Sequence, residues 1–303
     1  QFALGTHPLP SVQNVEFAKK VVEVLMSLGE RDLVIIITCG GGSALFELPA
    51  IPLEKLKIVN EALLRSGANI HDMNVVRKHL SKVKGGALAK IVHPATILNL
   101  IFSDVPGNDL TVIASAPTVF DPTTKDEAWE IFKSYGLNNK VDLKPEDFVE
   151  TPKEEVIFKK VENILFLSNL TALDAMQKSA SDMGIRVSVY SDRFQAEARK
   201  TGVELIEKTH KGSILLVGGE TTVKVTSQGE GGRNLEVVLG VLNSLDNKTI
   251  IASFASDGWD NCPLAGALGD AGTLSKASSL NLDPQVFLNR NDSLNFFKTV
   301  GDG

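Results

Sequence analysis

Apolar residues fall along this chain in two alternating patterns. The run Leu-Val-Ile-Ile-Ile-Thr at 33–38 is unbroken and mostly β-branched, the composition of a strand buried on both faces, as in a parallel sheet. Residues 96–102 read the same way, and shorter runs at 112–115, 164–167, 187–190 and 214–217 predict further strands. Residues 222–226 pair with or continue a sheet, and 250–254 is the last clear strand. Between these runs the apolar positions recur every three or four residues. Phe17, Val21, Val22, Leu25 and Leu28 form a helix face behind an Asn14 cap, and Gly29 ends it. The same spacing predicts helices over 53–64, 69–88 (broken near Gly85-Gly86), 125–135, 172–183, 194–209 and 233–245. Strand and helix in alternation imply parallel pairing with helical crossovers, an α/β fold. Over 136–160 the chain turns to Asn, Lys, Asp, Glu and Pro, which marks an exposed linker and a boundary between domains 1–150 and 151–303.

Length agrees with that division, because 303 residues exceed the usual single core. A net charge of −6 argues against nucleic acid as a bulk partner, though not against a local cationic pocket. Only Cys39 and Cys262 are present, far apart, so a disulfide framework is not expected and a reducing cytoplasm fits. No apolar run reaches the roughly 18 residues of a membrane span, and no secretory signal is visible. A homo-oligomer is left open.

Chemistry is concentrated where strands end. The first strand runs into Cys39-Gly40-Gly41-Gly42-Ser43. Three glycines allow a sharp turn whose N–H groups approach an anion, and Ser43 adds a hydroxyl at a helix start. A tight turn without a ligand is the other reading. Asp104, Glu220 and Asp257 each follow a strand beside glycines, the place where open α/β sheets bind ligands. Helical spacing puts Arg77, Ser81 and Lys84 on one face, a solvated face or an anchor for carboxylate or phosphate. Arg233 follows the glycine-rich stretch 228–232 and opens a helix. His79 reads as a helix-face or partly buried residue rather than a general base. There is no P-loop motif, no complete dinucleotide fingerprint, no nucleophile elbow and no metal-ligand spacing of histidines. Phosphoryl transfer remains, with carboxylates holding Mg²⁺ and orienting a hydroxyl while Arg, Lys and glycine N–H groups hold phosphates and an acidic substrate.

The stretches Gly5 to Pro10, Gly40 to Leu45, Ser66-Gly67-Ala68, Asn74 to Gly86, Phe102 to Gly107, Ala114 to Thr118, Asp121-Pro122, Gly218 to Thr222, Gly231 to Asn234 and Ser256-Asp257-Gly258 together resemble the glycerate kinases of the second type. The resemblance implies a Rossmann-like N-terminal domain and a C-terminal α/β domain containing a MOFRL region at about 213–303, with the active site in the cleft between them. It implies transfer from ATP, with Mg²⁺, to D-glycerate, on the 2-hydroxyl or, as a variant, the 3-hydroxyl. Asp104 is then the acid near the reacting hydroxyl and Arg233 a cation reaching the site, with Gly40, Gly41, Gly42, Ser43, Arg77, Lys84, Gly218, Gly219, Glu220, Thr221 and Asn234 as substrate and nucleotide contacts, and Glu220 and Asp257 as Mg²⁺ ligands. Hydroxypyruvate reductase and a silent binding fragment are the alternatives. The chain departs from the family at Cys39 (usually Ser), Ala116 (Gly), Leu235 (Gln) and 260–264. Ala116 is tolerable unless φ there is positive. An upstream Gly-Lys-Ala with an active-site lysine and a late Thr-Gly-Pro-Thr-Gly loop are absent, so a copy truncated at both ends is expected, with an exposed edge on its first sheet.

Overall fold

The computed structural model describes residues 3–103, residue 105 and residues 107–303. A first compact unit runs to Ser168. It carries α1 (Val12–Leu25), β1 (Leu33–Thr38), α2 (Gly42–Leu45), α3 (Leu53–Arg65), α4 (Ile70–His79), α5 (Ala87–Val92), β2 (Thr96–Phe102), α6 (Lys125–Ser134), α7 (Glu155–Phe158) and β3 (Val161–Leu167). The second unit, Asn169–Gly303, carries α8 (Asn169–Asp182), β4 (Arg186–Phe194), α9 (Ala198–Lys208), β5 (Ser213–Gly219), α10 (Arg233–Val241), β6 (Ile251–Phe254), β7 (Gly266–Gly269), α11 (Ala271–Ser279), α12 (Pro284–Asn289) and α13 (Ser293–Val300).

In the first unit β1, β2 and β3 form a parallel sheet in that order. Asn99 of β2 lies opposite Ile36 on one side and Asn163 on the other. A buried polar row crosses the sheet here: Thr38 Oγ1 donates to Asn99 Oδ1 at 2.8 Å, and Asn99 Nδ2 donates to Asn163 Oδ1 and Thr118 Oγ1, both at 3.0 Å. A slip of one residue would strand these amides in an apolar layer, so the row pins the register at the end where β1 meets its glycine loop.

The expectation that β1 is buried on both faces is corrected. Val34 and Ile36 pack with Leu25, Leu28, Ala89 and Val92, whereas Leu33, Ile35 and Ile37 are 58%, 59% and 67% exposed. Packed helices cover one face of this edge strand, and a strand's side chains alternate between faces. The 136–160 segment is not an exposed linker either. Leu137, Val141, Leu143 and Phe148 are buried in one core with Leu56, Val59 and Phe132, and β3 beyond them joins the first sheet. The two units therefore divide after Ser168, later than the linker composition suggested.

The second unit pairs β4 with β5 in parallel and β6 with β7 antiparallel. α10 is its apolar centre: Leu235, Val238, Leu239 and Val241 are buried with Leu288, Phe296 and Phe297. Strand β7, Gly-Ala-Leu-Gly, is too short and small to show in the sequence pattern. Of the 222–226 stretch, Thr222 forms only a bridge to Glu197. No described helix is long and apolar enough to cross a membrane.

Candidate functional site

Beyond Thr38 the chain turns through Cys39 and Gly40 into Gly41, whose φ of 75° is left-handed and suits glycine. Gly42 then opens the single turn of α2, and a Cβ there would lie 2.8 Å from that of Ala114. The loop is thus pressed against residues 112–116, which do not form the expected strand. Ala114 (φ 49°, ψ 22°), Ser115 (φ 58°) and Ala116 (φ 58°, ψ 57°) make a left-handed turn of three non-glycine residues. Such backbone costs on the order of 1–2 kcal/mol per residue. It is held by Gly85 N–H and Gly86 N–H, which donate to the carbonyls of Ser115 and Ala116 at 3.0 and 2.8 Å. Ala116, where the family carries glycine, therefore does sit at positive φ.

Helix α4 supplies the facing wall. It is capped by Asn69, whose side chain accepts from Asp72 N–H. It ends at His79 because the chain then pairs with residues 48–50: Lys82 N–H donates to Leu48 O at 2.8 Å and Ala50 N–H to Leu80 O at 2.9 Å. The expected single helix face for Arg77, Ser81 and Lys84 is corrected accordingly. Arg77 shares its face with Asn74 and Ile70, one and two turns earlier, and these three line a cavity with His7, Cys39, Gly40, Gly41, Gly42, Ser43, Val105, Val112, Ile113 and Ala114. The cavity measures about 190 Å³.

Its polar contacts have a fixed direction. Asn74 Nδ2 donates to Ile70 O at 2.9 Å, so Oδ1 is the acceptor for the buried Ser115 hydroxyl at 2.8 Å. Ser115 has then spent its proton, and the 2.9 Å contact with Ser43 is one in which Ser43 Oγ donates. Ser43 is left with lone pairs only. Arg77 Nε donates to Asn60 Oδ1 at 3.0 Å, and among the described residues its two terminal nitrogens have no hydrogen-bond acceptor. Burial holds its guanidinium below the ordinary arginine value, with Glu47 acting in the opposite sense. No described carboxylate lines the cavity, so Arg77 gives it a positive character. Among the described residues, the N–H groups of Gly40, Gly41 and Ser43 meet no hydrogen-bond acceptor.

Lys84 is elsewhere. It is 3% exposed and ion-paired with the buried Glu47, which also accepts from Ser81 Oγ at 2.6 Å. Burial lowers the Lys84 pKa, with Glu47 raising it in part. His79 is fully buried, with Nδ1 donating to Val149 O at 2.7 Å, and burial likewise lowers its pKa. Asp104 lies outside the described residues.

In the second unit β5 ends at Gly218 and Gly219, and Glu220 and Thr221 follow. A Cβ on Gly219 would lie 2.1 Å from Phe194 O, so the close approach of the two strand ends requires glycine there. Glu220 is ion-paired with Arg233, the first residue of α10, and both are exposed. Beneath Arg233, the buried Asp260 accepts from Asn234 N–H at 3.1 Å, Asn234 Nδ2 at 2.9 Å and Leu235 N–H at 2.9 Å. Asp260 thus caps α10 from outside the helix, and the departure at 260–264 keeps its first residue for that purpose. Asp257 accepts from Trp259 N–H in its own turn. As a test of a Mg²⁺ site, no group of three His, Cys, Asp or Glu side chains is placed to hold a metal ion among the described residues, and Glu220 and Asp257 are not joined in one.

Asn74 and Ser115 escaped the sequence reading. The i, i+4, i+7 spacing of Ile70, Asn74 and Arg77 was a signal for the first; for Ser115, in a stretch that reads as a strand, the only signal was its place in the Ala114 to Thr118 stretch that carries the resemblance.

Residues 1–149 match a family described as a domain of unknown function, DUF4147, and residues 213–303 match the MOFRL family. A glycerate 2-kinase of Pyrococcus horikoshii is 37% identical over 97% of this chain and 72% of its own. A protein of Agrobacterium vitis provisionally named a hydroxypyruvate reductase is also 37% identical, over 98% and 72%. The crystal structure of glycerate kinase from Thermotoga maritima superposes with a TM-score of 0.83 at 33% identity, covering 98% of this chain and 75% of that one.

Proposed function

The chain belongs to the glycerate 2-kinase family, and on that premise we propose that it carries the γ-phosphoryl group of ATP to D-glycerate, at the 2-hydroxyl, giving 2-phosphoglycerate. The observation that supports this reading best is the cavity where Arg77 faces the glycine loop, its terminal nitrogens and the loop's N–H groups without partners among the described residues. Phosphoryl transfer asks a protein chiefly to position reactants and neutralise charge, and these groups are suited to both. Asp104 is proposed as the carboxylate that orients or deprotonates the acceptor hydroxyl. Arg233 is proposed as a cation toward the transferring group, and Gly218, Gly219, Thr221 and Asn234 as nucleotide contacts. Lys84, committed to Glu47, is proposed to support the site rather than touch substrate. Mg²⁺ is proposed to enter with ATP, with Glu220 and Asp257 as the carboxylates that would meet it.

ADP release with D-glycerate, Mg²⁺ and ATP tests the proposal. Turnover that is lost in Asp104→Asn supports it. A folded protein that consumes reduced nicotinamide with hydroxypyruvate and releases no ADP would establish the reductase that one relative's name suggests, and binding of glycerate without either reaction would establish a silent binding protein.

A further inference from the structure

We infer that the cavity at the end of β1 seats the acceptor substrate, not the nucleotide: Arg77 clamps the carboxylate of a short 2-hydroxy acid, and Ser43 Oγ accepts a hydrogen bond from its 2-hydroxyl in the bound ground state, that proton passing to Asp104 only as the phosphoryl group is transferred. The assignment rests on the phosphotransfer reading and adds to it which ligand group each side chain meets.

Three independent features carry it. The first is size. The cavity of about 190 Å³ falls below the roughly 300–1,000 Å³ of pockets that take drug-sized ligands. It holds about six waters at roughly 30 Å³ each, and a three-carbon hydroxy acid such as glycerate has seven non-hydrogen atoms. A nucleoside triphosphate is several times larger.

The second is charge. Arg77 is the cationic side chain with unengaged donors here, and its planar fork matches one carboxylate in bidentate geometry. With Lys84 and Glu47 neutralising each other, the one guanidinium among the described lining residues balances a monoanion's carboxylate and leaves a triphosphate largely uncompensated.

The third is hydrogen-bond polarity, which at the Ser43 oxygen favours a hydroxyl over a phosphate. The chain Ser43 to Ser115 to Asn74 to Ile70 O runs in one direction because Asn74 Oδ1 can only accept. Ser43 therefore presents lone pairs alone. A phosphate oxygen, itself an acceptor, finds no partner at that atom, whereas a substrate hydroxyl does. Asn74 and Ser115 act through Ser43, as positioning residues that hold its proton away from the ligand.

The test is equilibrium binding by calorimetry on the whole chain, with D-glycerate, 3-hydroxypropionate (no 2-hydroxyl), glycerol (no carboxylate), inorganic phosphate and Mg·ATP as probes. D-Glycerate is expected to bind about tenfold more tightly than 3-hydroxypropionate, one hydrogen bond's worth, and glycerol not measurably. Arg77→Gln is expected to weaken D-glycerate by about tenfold or more and to leave Mg·ATP within about twofold. Ser43→Ala, which removes only a half-exposed hydroxyl and so guards against a folding artefact, is expected to abolish the preference for D-glycerate over 3-hydroxypropionate. Ser115→Ala, which frees the Ser43 proton, is expected to shrink that preference as well. Loss of Mg·ATP or phosphate binding in Arg77→Gln with D-glycerate unaffected overturns the assignment, as does an undiminished preference in Ser43→Ala or no binding of any carboxylate to the wild type. If D-glycerate binding depends on Arg77 and Ser43 as expected while no ADP is released, the subsite stands and the kinase reading falls.

Discussion

Substituting Glu47 by Gln removes the charge opposite Lys84 while keeping one oxygen, which can accept from Lys84 in place of Ser81. Glu47 is 1% exposed and Lys84 3% exposed, so water cannot replace the lost partner. Breaking a buried ion pair from one side costs about 3–5 kcal/mol, because the remaining charge is left uncompensated. Gln keeps a dipole in place, so the lower end, about 3 kcal/mol, is expected. For a unit of this size that lowers Tm by about 6–12 °C. The assay is urea or thermal unfolding followed by Trp129, which stacks on Phe132 at 5.5 Å in the first unit's core; Trp259, 60% exposed, will contribute little change. The pH dependence has a definite sign. Burial depresses the folded-state pKa of Lys84 below its ordinary value of 10.5. Between the folded and unfolded values the unfolded chain holds more protons, so stability from this group rises with pH across that window. Glu47 raises the folded value in the wild type, so without its charge the window extends further down. The deficit of Glu47→Gln should therefore be full below the variant's folded-state Lys84 pKa and shrink as pH rises through it and the Lys84 amine loses its proton. A deficit below about 1 kcal/mol, or one unchanged or larger at alkaline pH, would refute the commitment of Lys84 to Glu47 and return it to the list of substrate contacts. The double variant Glu47→Leu with Lys84→Met is expected to cost less than the single one, since no unpaired charge remains.

Arg233→Ala should change stability by less than about 1 kcal/mol, because its pair with Glu220 is solvent-exposed, yet reduce ADP release with D-glycerate by about a hundredfold or more; parallel melting and initial-rate measurements check both. Asp260→Ala removes the acceptor of three N–H bonds at the start of α10 and should destabilise the second unit by about 2 kcal/mol, visible in urea unfolding by circular dichroism.

Much of the fold could be read from residue patterns, for identifiable reasons. Residues 96–102 and 125–135 were placed correctly because a β-branched run and a 3.6-residue periodicity are local properties that survive in almost any context. The glycine loop and Arg77 were also found from their own chemistry, and they do share a cavity. The failures have a common cause. Leu137, Val141, Leu143 and Phe148 are spaced irregularly among charged residues, so nothing local distinguishes them from a linker; only the core they fill does. Val112-Ile113-Ala114-Ser115 has strand propensity, but N–H donors from Gly85 and Gly86, far away in the chain, hold residues 114–116 left-handed.

Residue order alone was enough to establish the α/β alternation, the parallel pairing, the family and the set of residue types from which an anion site could be made. It could not say which charges were spent. Lys84 and Arg77 look alike as cations seven residues apart, and the fold buries one against Glu47 while leaving the other's donors open to a cavity. Nor could it orient a hydroxyl: the direction of the Ser43 proton follows from Asn74 and Ser115, brought together from separate elements. Local patterns set which elements form, because propensity and periodicity act over a few residues. Burial and hydrogen-bond direction depend on neighbours distant in sequence, and only the tertiary structure supplies them.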